Sequence, residues 1–470
     1  MKVTFNKKPR ALALAGALAV LLATPGCNPT NIDPVTDPNN PSLESVTTNA
    51  SLAQIRALGT GVEASFRLGH TNNAAYNQLT GTFGREIIIL ASNEPRWYTE
   101  ILGTKGALDN NAFYSVGSYS SFARIIRAAN VFRQSAQATT AISTAQVQGI
   151  LGFSDTYEAL GKLHLLNLMG ENGIRIDVSD YLHPGKLTAG SAPALANIRQ
   201  LLDQGATELA AAGTAFAFPL SSGYAGFNTP ATFLKVNRAL AARVALYQGD
   251  NAGALTAITA SFYDQAGSLT LGPKLTFNPS IANDQGNLYY QVPNTGPSTL
   301  VTVPDNFVNE AEAGDLRLSK VSKRTGAGGG GPRTLGGITG NYEPAVYTSQ
   351  TAPLGIIRNE ELILIAAEAK AKTGNLTGAV ADINAIRTRS GGLAAYSGTV
   401  SQDALVNEIL RQRRYSLFYE GQFWVDLRRL GKLNPTPAPN ITLAYSTGTF
   451  KLFDRIAVPF AEVAWDQANP

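Results

Sequence analysis

The sequence predicts a mainly α-helical chain: a scaffold of tetratricopeptide-like helix pairs with long irregular excursions and little β structure. Three observations carry that prediction. Apolar residues recur at helical spacing through most of the N-terminal half. Two stretches 125 residues apart repeat one helix–turn–helix pattern. The segment between them is rich in Gly, Pro, Asn, Thr and Tyr and lacks helical periodicity.

At 470 residues the chain is long enough for one large domain or a few small ones. Its net charge of +4 is accounted for by Lys2, Lys7, Lys8 and Arg10. The remainder is formally neutral, which argues against the basic face of a nucleic-acid binder. Those four residues open a segment, 1–26, that reads as a signal peptide: a basic start, then the apolar run 11–23, too short for a comfortable bilayer span. Cys27, the single cysteine, follows directly. A lone cysteine after a signal segment resembles a bacterial lipobox, although Thr24 stands where Leu is usual. Cys27 is therefore the expected lipidation site, giving an anchor of acyl chains without a spanning helix. The alternative is ordinary secretory cleavage that leaves a free thiol. Residues 27–41 carry four prolines among Asn and Asp and read as an extended tether, leaving 42–470 as the folded domain.

The first helical stripe runs through Leu43, Val46, Leu52, Ile55, Leu58 and Val62 and breaks at 69–73. A short apolar patch at 87–90 leads into 92–100, where Pro95 argues for a loop carrying Arg96, Trp97 and Tyr98. Helices are expected at 118–138, 144–169 and 192–212. The repeats follow, AARVALYQGDNAGALTAI at 241–258 and AAEAKAKTGNLTGAVADI at 366–383. Both share an Ala pair, a turn glycine (Gly249, Gly374), a Gly-Ala and a final Ile. Small residues allow close helix approach, and the glycine ends the first helix so that the second folds back. The excursion at about 263–353 offers one strand-like scrap, 300–303, and a Gly-rich run, 326–331, without the Lys-Ser/Thr of a phosphate loop. Asp403 is the expected N-cap of the next helix.

Residues 411–432, RQRRYSLFYEGQFWVDLRRLGK, place five arginines, Glu420 and Asp426 among aromatic and aliphatic side chains. Buried charge must be paired, so the simplest arrangement is two short helices folded back at Glu420-Gly421. Leu417, Phe418, Trp424 and Leu427 would form the seam, with both acids holding arginines. The tail, 455–459, reads as an extended piece ending at Pro459.

Asp315-Leu-Arg317, the stretch 358–370 with 383–389, and 409–432 followed by Ala457-Val-Pro459 together resemble the C-terminal half of the SusD/RagB family of outer-membrane nutrient-binding lipoproteins. The C-terminal family core would be 354–470. Gln412 and Ser416 depart from the pattern, standing where relatives carry Glu, so two acids are missing from the arginine cluster. The resemblance implies about four helix pairs and a place at the outer membrane, lipid-anchored and facing the cell exterior. It implies capture of an oligosaccharide, glycan or peptide for a TonB-dependent (SusC-like) barrel transporter. It also implies that the chain is not an enzyme.

Catalytic chemistry finds little support. His70, His164 and His183 are scattered and form no HExxH, so neither a metal nor a cofactor is expected, and His164 reads as a satisfied structural residue. The pairs Glu360/Glu361 and Glu310/Glu312 could serve a hydrolase, but neighbours on a helix point to different faces. Sugar capture needs aromatic faces and planar hydrogen-bonding groups. The loop residues Asn93, Arg96, Trp97 and Tyr98, with Tyr114 and Tyr119, and Tyr289 and Tyr290 in the excursion, are the candidates. Each could equally pack a loop onto the scaffold. Of these, Trp97 is expected to be replaceable by Ala without loss of stability. A lipid-anchored periplasmic helical adaptor without a small ligand is the competing reading.

Overall fold

The structure, a computed structural model, describes residues 43–469 apart from residues 73, 283, 327 and 328. The expected signal peptide, the tether, Cys27 and the middle of the Gly-rich run lie outside the described residues. The chain divides into an N-terminal unit, Met1–Val46, and a main unit, Thr47–Pro470. Of the first, only 43–46 are described, within a short helix Leu43–Thr47.

In the main unit most of the longer helices pack against a neighbour in chain order. They are α1 (Leu52–Thr71), α2 (Tyr76–Phe83), α3 (Phe113–Ala138), α4 (Thr144–Met169), α5 (Ser191–Ala211), α6 (Pro230–Gln248), α7 (Asn251–Thr259), α8 (Asn359–Lys372), α9 (Leu376–Arg389), α10 (Gln402–Ser416), α11 (Phe423–Arg429) and α12 (Phe460–Ala468). The pairs α1/α3, α4/α5, α6/α7 and α8/α9 are the four helix pairs of the array, and α10 closes on α8. The C-terminal two-thirds of α4 and nearly all of α8 are buried on every side, which explains why neither reads as a clean amphipathic stripe.

Both repeats fold as expected. Gly249 and Gly374 adopt φ of 75° and 85°, a left-handed conformation that is easy only without a Cβ. Each return helix is then capped alike, Asp250 Oδ1 accepting from Gly253 N and Asn375 Oδ1 from Gly378 N.

Several boundaries differ from expectation. The stripe from Leu43 to Val62 is broken before Leu52, because Ser51 and Gln54 form a reciprocal capping box that starts α1 afresh. The third helix begins at Phe113, five residues early. Residues 96–99 are a helical turn rather than loop, since a proline is tolerated at the start of a helix. Ser401, not Asp403, caps α10, its Oγ accepting from Ala404 N. A helix, α12, follows Pro459, anchored by Arg175 on Glu462 and Asp466. His70 and His164 are not scattered: their rings lie 5.7 Å apart in an aromatic cluster with Phe66, Tyr76 and Phe122.

The strands are short. β1 (Ile88–Ala91) pairs antiparallel with β2 (Thr299–Thr302), β3 (Val321–Lys323) with β6 (Tyr342–Pro344), and β4 (Arg333–Leu335) with β5 (Ile338–Gly340). Two two-residue pairs complete the set, Ile174–Arg175 with Leu187–Thr188 and Lys274–Leu275 with Leu354–Gly355.

The 411–432 stretch forms α10, a turn and α11, with Leu417, Phe418, Trp424 and Leu427 all buried. Trp424 stacks on Phe83 at 4.8 Å, and its indole N–H donates to Phe453 O. Asp426 holds Arg413 and Arg429, both at 2.6–2.8 Å. Glu420 reaches outside the stretch to Arg358 at the head of α8.

Candidate functional site

The pairing of β1 with β2 joins segments more than 200 residues apart and creates the face on which most of the candidate ligand residues can be judged. Its register, Ile88↔Thr302 to Ala91↔Thr299, carries directly into the loop beyond: Ser92 N donates to Ser298 O and Thr299 Oγ1 to Asn93 Oδ1 at 3.2 Å. A third piece is the β4–β5 hairpin. Its turn is Gly336-Gly337, both at positive φ, as a two-residue hairpin turn requires. The bare Gly336 also admits the Tyr98 ring, which a Cβ there would meet at 2.9 Å. Tyr98, Leu335, Tyr445 and Phe450 ring a small core of Ile88, Leu90, Leu102, Leu300 and Ile338. This second core stiffens the face from beneath.

The predicted residues divide on this frame. Asn93 is exposed; Arg96, Tyr98 and Tyr290 are half-buried. Arg96 clamps Glu94 with two parallel hydrogen bonds, Nε to Oε1 at 2.7 Å and Nη2 to Oε2 at 2.6 Å, and lies 5.2 Å from the Phe113 ring. That guanidinium holds the Glu94 carboxyl below the usual carboxylate range. Tyr290 sits beside Gln291, whose amide accepts from Val301 N and donates to Val301 O, continuing the sheet beyond β2 with a side chain.

The other four are buried. Trp97, at 4% exposure, packs on Phe113 at 5.0 Å. Tyr114 donates to Glu100 Oε2 at 2.8 Å and accepts from Asp109 N, and burial raises its phenol pKa. Tyr119 is buried near Glu462, burial being the first cause of its raised pKa. Tyr289 meets His70 Nδ1 at 3.1 Å and accepts from Asn77 N, deep among the helices. Trp97 is therefore enclosed, contrary to expectation, because its indole packs on Phe113 at the start of α3.

Thr299, Tyr445 and the β4–β5 hairpin belong to this face and were not anticipated. The hairpin had a signal, Gly-Gly between Arg-Thr-Leu and Ile-Thr-Gly; Thr299 and Tyr445 had none, since only long-range pairing brings them here.

Clefts are also found away from this face. A cleft of ≈ 210 Å³ between α1 and residues 219–221 includes Glu63 and Arg67. Another of ≈ 410 Å³ is floored by Lys320, Arg358, Glu360 and Glu420; Arg358 pairs with both acids, and Lys320 donates to Tyr415 O and Ser416 O. The carboxylates weighed for hydrolysis are committed in the same way, Glu361 to Arg243, Glu310 to Arg414 and Glu312 to Arg387. His164 is buried, its Nδ1 2.8 Å from Leu160 O. Among the described residues, no group of three or more His, Cys, Asp or Glu could hold a metal ion, and no helix is long and apolar enough to cross a membrane.

Comparison with known proteins gives a consistent result. Residues 319–461 match the model of the SusD family. No curated protein matches this sequence. Among solved structures, a SusD superfamily protein from Bacteroides thetaiotaomicron aligns with a TM-score of 0.68 at 17% identity, over 88% of this chain and 98% of that one. A laminarin-binding SusD-like protein aligns at 0.60 and 17% identity, over 88% and 97%. B. fragilis NanU aligns at 0.64 and 16% identity, over 88% and 95%. Residues 319–461 thus resemble the SusD family in sequence, and the helical array shares the fold of solved SusD superfamily proteins.

Proposed function

We propose that this chain is a lipid-anchored outer-membrane protein that binds a glycan and passes it to a TonB-dependent barrel transporter, without catalysing a reaction. The observation that carries the binding reading is the braced face at Asn93, Arg96, Tyr98 and Thr299. It sets the half-buried Tyr98 ring beside planar hydrogen-bonding groups, the combination that a pyranose ring and its hydroxyls need. The fold it shares with a laminarin-binding SusD-like protein supports a glycan over a peptide. The carboxylates that a hydrolase would use are tied into ion pairs, which favours binding without turnover. The signal segment 1–26, Cys27 and the tether 27–41 supply the anchor in this reading, holding domain 42–470 off the membrane on the exterior side.

The test is a binding screen of the purified domain against polysaccharides and peptides by calorimetry, with Asn93→Ala/Tyr98→Ala as control. Binding of a glycan that the double variant loses is expected; peptide binding alone, or no ligand, would remove the reading. Gentle solubilisation from cells should co-purify a barrel subunit. Cys27→Ser should release the protein from membranes.

A further inference from the structure

Most aromatic rings among the described residues are enclosed, including four of the six expected to meet a ligand. Of its described Tyr, Trp and Phe residues, only Tyr181 and Phe460 are exposed, and Tyr181 stands apart in being mounted rather than merely left out. It sits at the tip of a hairpin whose strands are Ile174–Arg175 and Leu187–Thr188. The tip is braced at its neck by Gly185 N donating to Asp177 O at 2.9 Å and by Arg175 Nη1 donating to Gly185 O at 2.6 Å. Within it, Asp177 Oδ1 accepts from Ser179, and Asp180 accepts from Leu182 N through one oxygen and pairs with His183 Nδ1 through the other, at 2.9 Å.

The ring itself is held from α3. The Arg127 guanidinium carbon lies 3.7 Å from the Tyr181 ring centroid, a cation–π contact that closes one face of the ring and fixes its plane. Tyr181 remains 44% exposed and its neighbour Leu182 58% exposed. The tip thus presents an aromatic ring to solvent with one face held by Arg127, rimmed by Asp180 and His183. The open ring is about the size of one pyranose, and its rim offers a carboxylate acceptor and imidazole and guanidinium donors to hydroxyls.

We propose that Tyr181, seated on Arg127, is an accessory stacking site for a single pyranose unit of a glycan chain, separate from the Asn93–Tyr98 face. This rests on the glycan-binding reading above. A second, weaker contact on one polymer raises apparent affinity for long chains by effective concentration and leaves short oligomers unaffected.

The experiment is affinity electrophoresis of the whole domain in gels cast with laminarin, amylopectin or xylan, comparing wild type, Tyr181→Ala, Arg127→Ala and Asn93→Ala/Tyr98→Ala, with short oligomers titrated by calorimetry. Thermal unfolding confirms that the variants are folded. Tyr181→Ala is expected to weaken retardation by the bound polymer roughly three- to tenfold while leaving oligomer affinity unchanged, with Arg127→Ala intermediate. Retardation that Asn93→Ala/Tyr98→Ala abolishes but Tyr181→Ala leaves intact overturns the accessory site alone. Loss of oligomer affinity in Tyr181→Ala overturns it too, by making Tyr181 part of a primary site. Absence of retardation in every gel removes both this site and the glycan reading.

Discussion

Arg317 Nη1 donates to Gln412 Oε1 at 2.7 Å, and to Ser416 Oγ at 3.0 Å. These are the two positions at which the arginine-rich motif lacks an acid. The charge on Arg317 is met instead by Asp315, in a buried two-bond pair at 2.6 and 2.8 Å. Gln412 also donates, through Nε2 to Glu408 Oε1 at 2.8 Å, and Glu408 in turn holds Arg387. The neutral amide is thus the piece that can face a guanidinium and a carboxylate at once.

Gln412→Glu, which restores the acid, should therefore destabilise the protein at neutral pH. It removes the donor to Glu408 and buries a third carboxylate near Asp315 and Glu408. A loss of about 1–3 kcal/mol in chemical denaturation is expected, shrinking as the pH falls toward the carboxylate range. Unchanged or increased stability at pH 7 would refute the dual role of the amide.

Asp426 serves two arginines while Arg413 has Asp426 as its ion-pair partner, so the two ends of this pair are not equivalent. Arg413→Met leaves Asp426 with Arg429 and should cost about 2–3 kcal/mol. Asp426→Asn strands the enclosed Arg413 and should cost about 3–5 kcal/mol. Equilibrium unfolding of both variants checks the order, which is the informative part.

Trp97→Ala should lower stability by about 3 kcal/mol, because the indole is enclosed against Phe113. Asn93→Ala should leave thermal unfolding within error, since its side chain is exposed and accepts a single hydrogen bond from Thr299. Measuring both by thermal scan separates the residues that build the face from those that it presents.

Where α4 meets α5, Asp155 Oδ2 and Glu208 Oε2 are buried without a hydrogen-bond partner, and the two carboxyl groups lie close enough to act on each other's charge. Arg133 faces Asp155 and Glu158 from α3, Lys162 pairs with Glu158, and Gln204 donates to Glu208. Burial, then the Asp155 charge, pushes Glu208 up to about 7, so the pair shares a proton near neutrality. A folded-state pKa above the unfolded value means that this contribution is full below about pH 4.5 and is lost as pH rises through about 7. Glu86, enclosed and pushed up to about 8 by burial, adds loss of the same sign at higher pH. Glu208→Gln supplies a permanent donor to Asp155. It should flatten the decline in melting temperature between pH 5 and 8 relative to wild type. An equal slope in both proteins would place the shared proton elsewhere.

The helical array was legible because its signals are local. The apolar spacing of α1 and α5, the turn glycines Gly249 and Gly374 and the caps at Asp250 and Asn375 act within a few residues of themselves, and the chain obeys them whatever lies opposite. Residues 411–432 were legible for a related reason, since so many arginines among aromatics admit few solutions other than pairing across a fold-back. Exposure was not legible. Trp97 and Tyr98 are neighbours, yet one is enclosed by Phe113 and the other rests on Gly336, residues on separate elements. Tyr289 and Tyr290 part in the same way, one reaching His70 among the helices and the other left beside the sheet. The sequence alone determined most of the long helices, the repeated helix–turn–helix and the fold-back of the charged C-terminal motif. Only the tertiary structure decided which rings meet solvent, because that depends on contacts such as β1 with β2 between residues more than 200 positions apart, for which no local spacing exists.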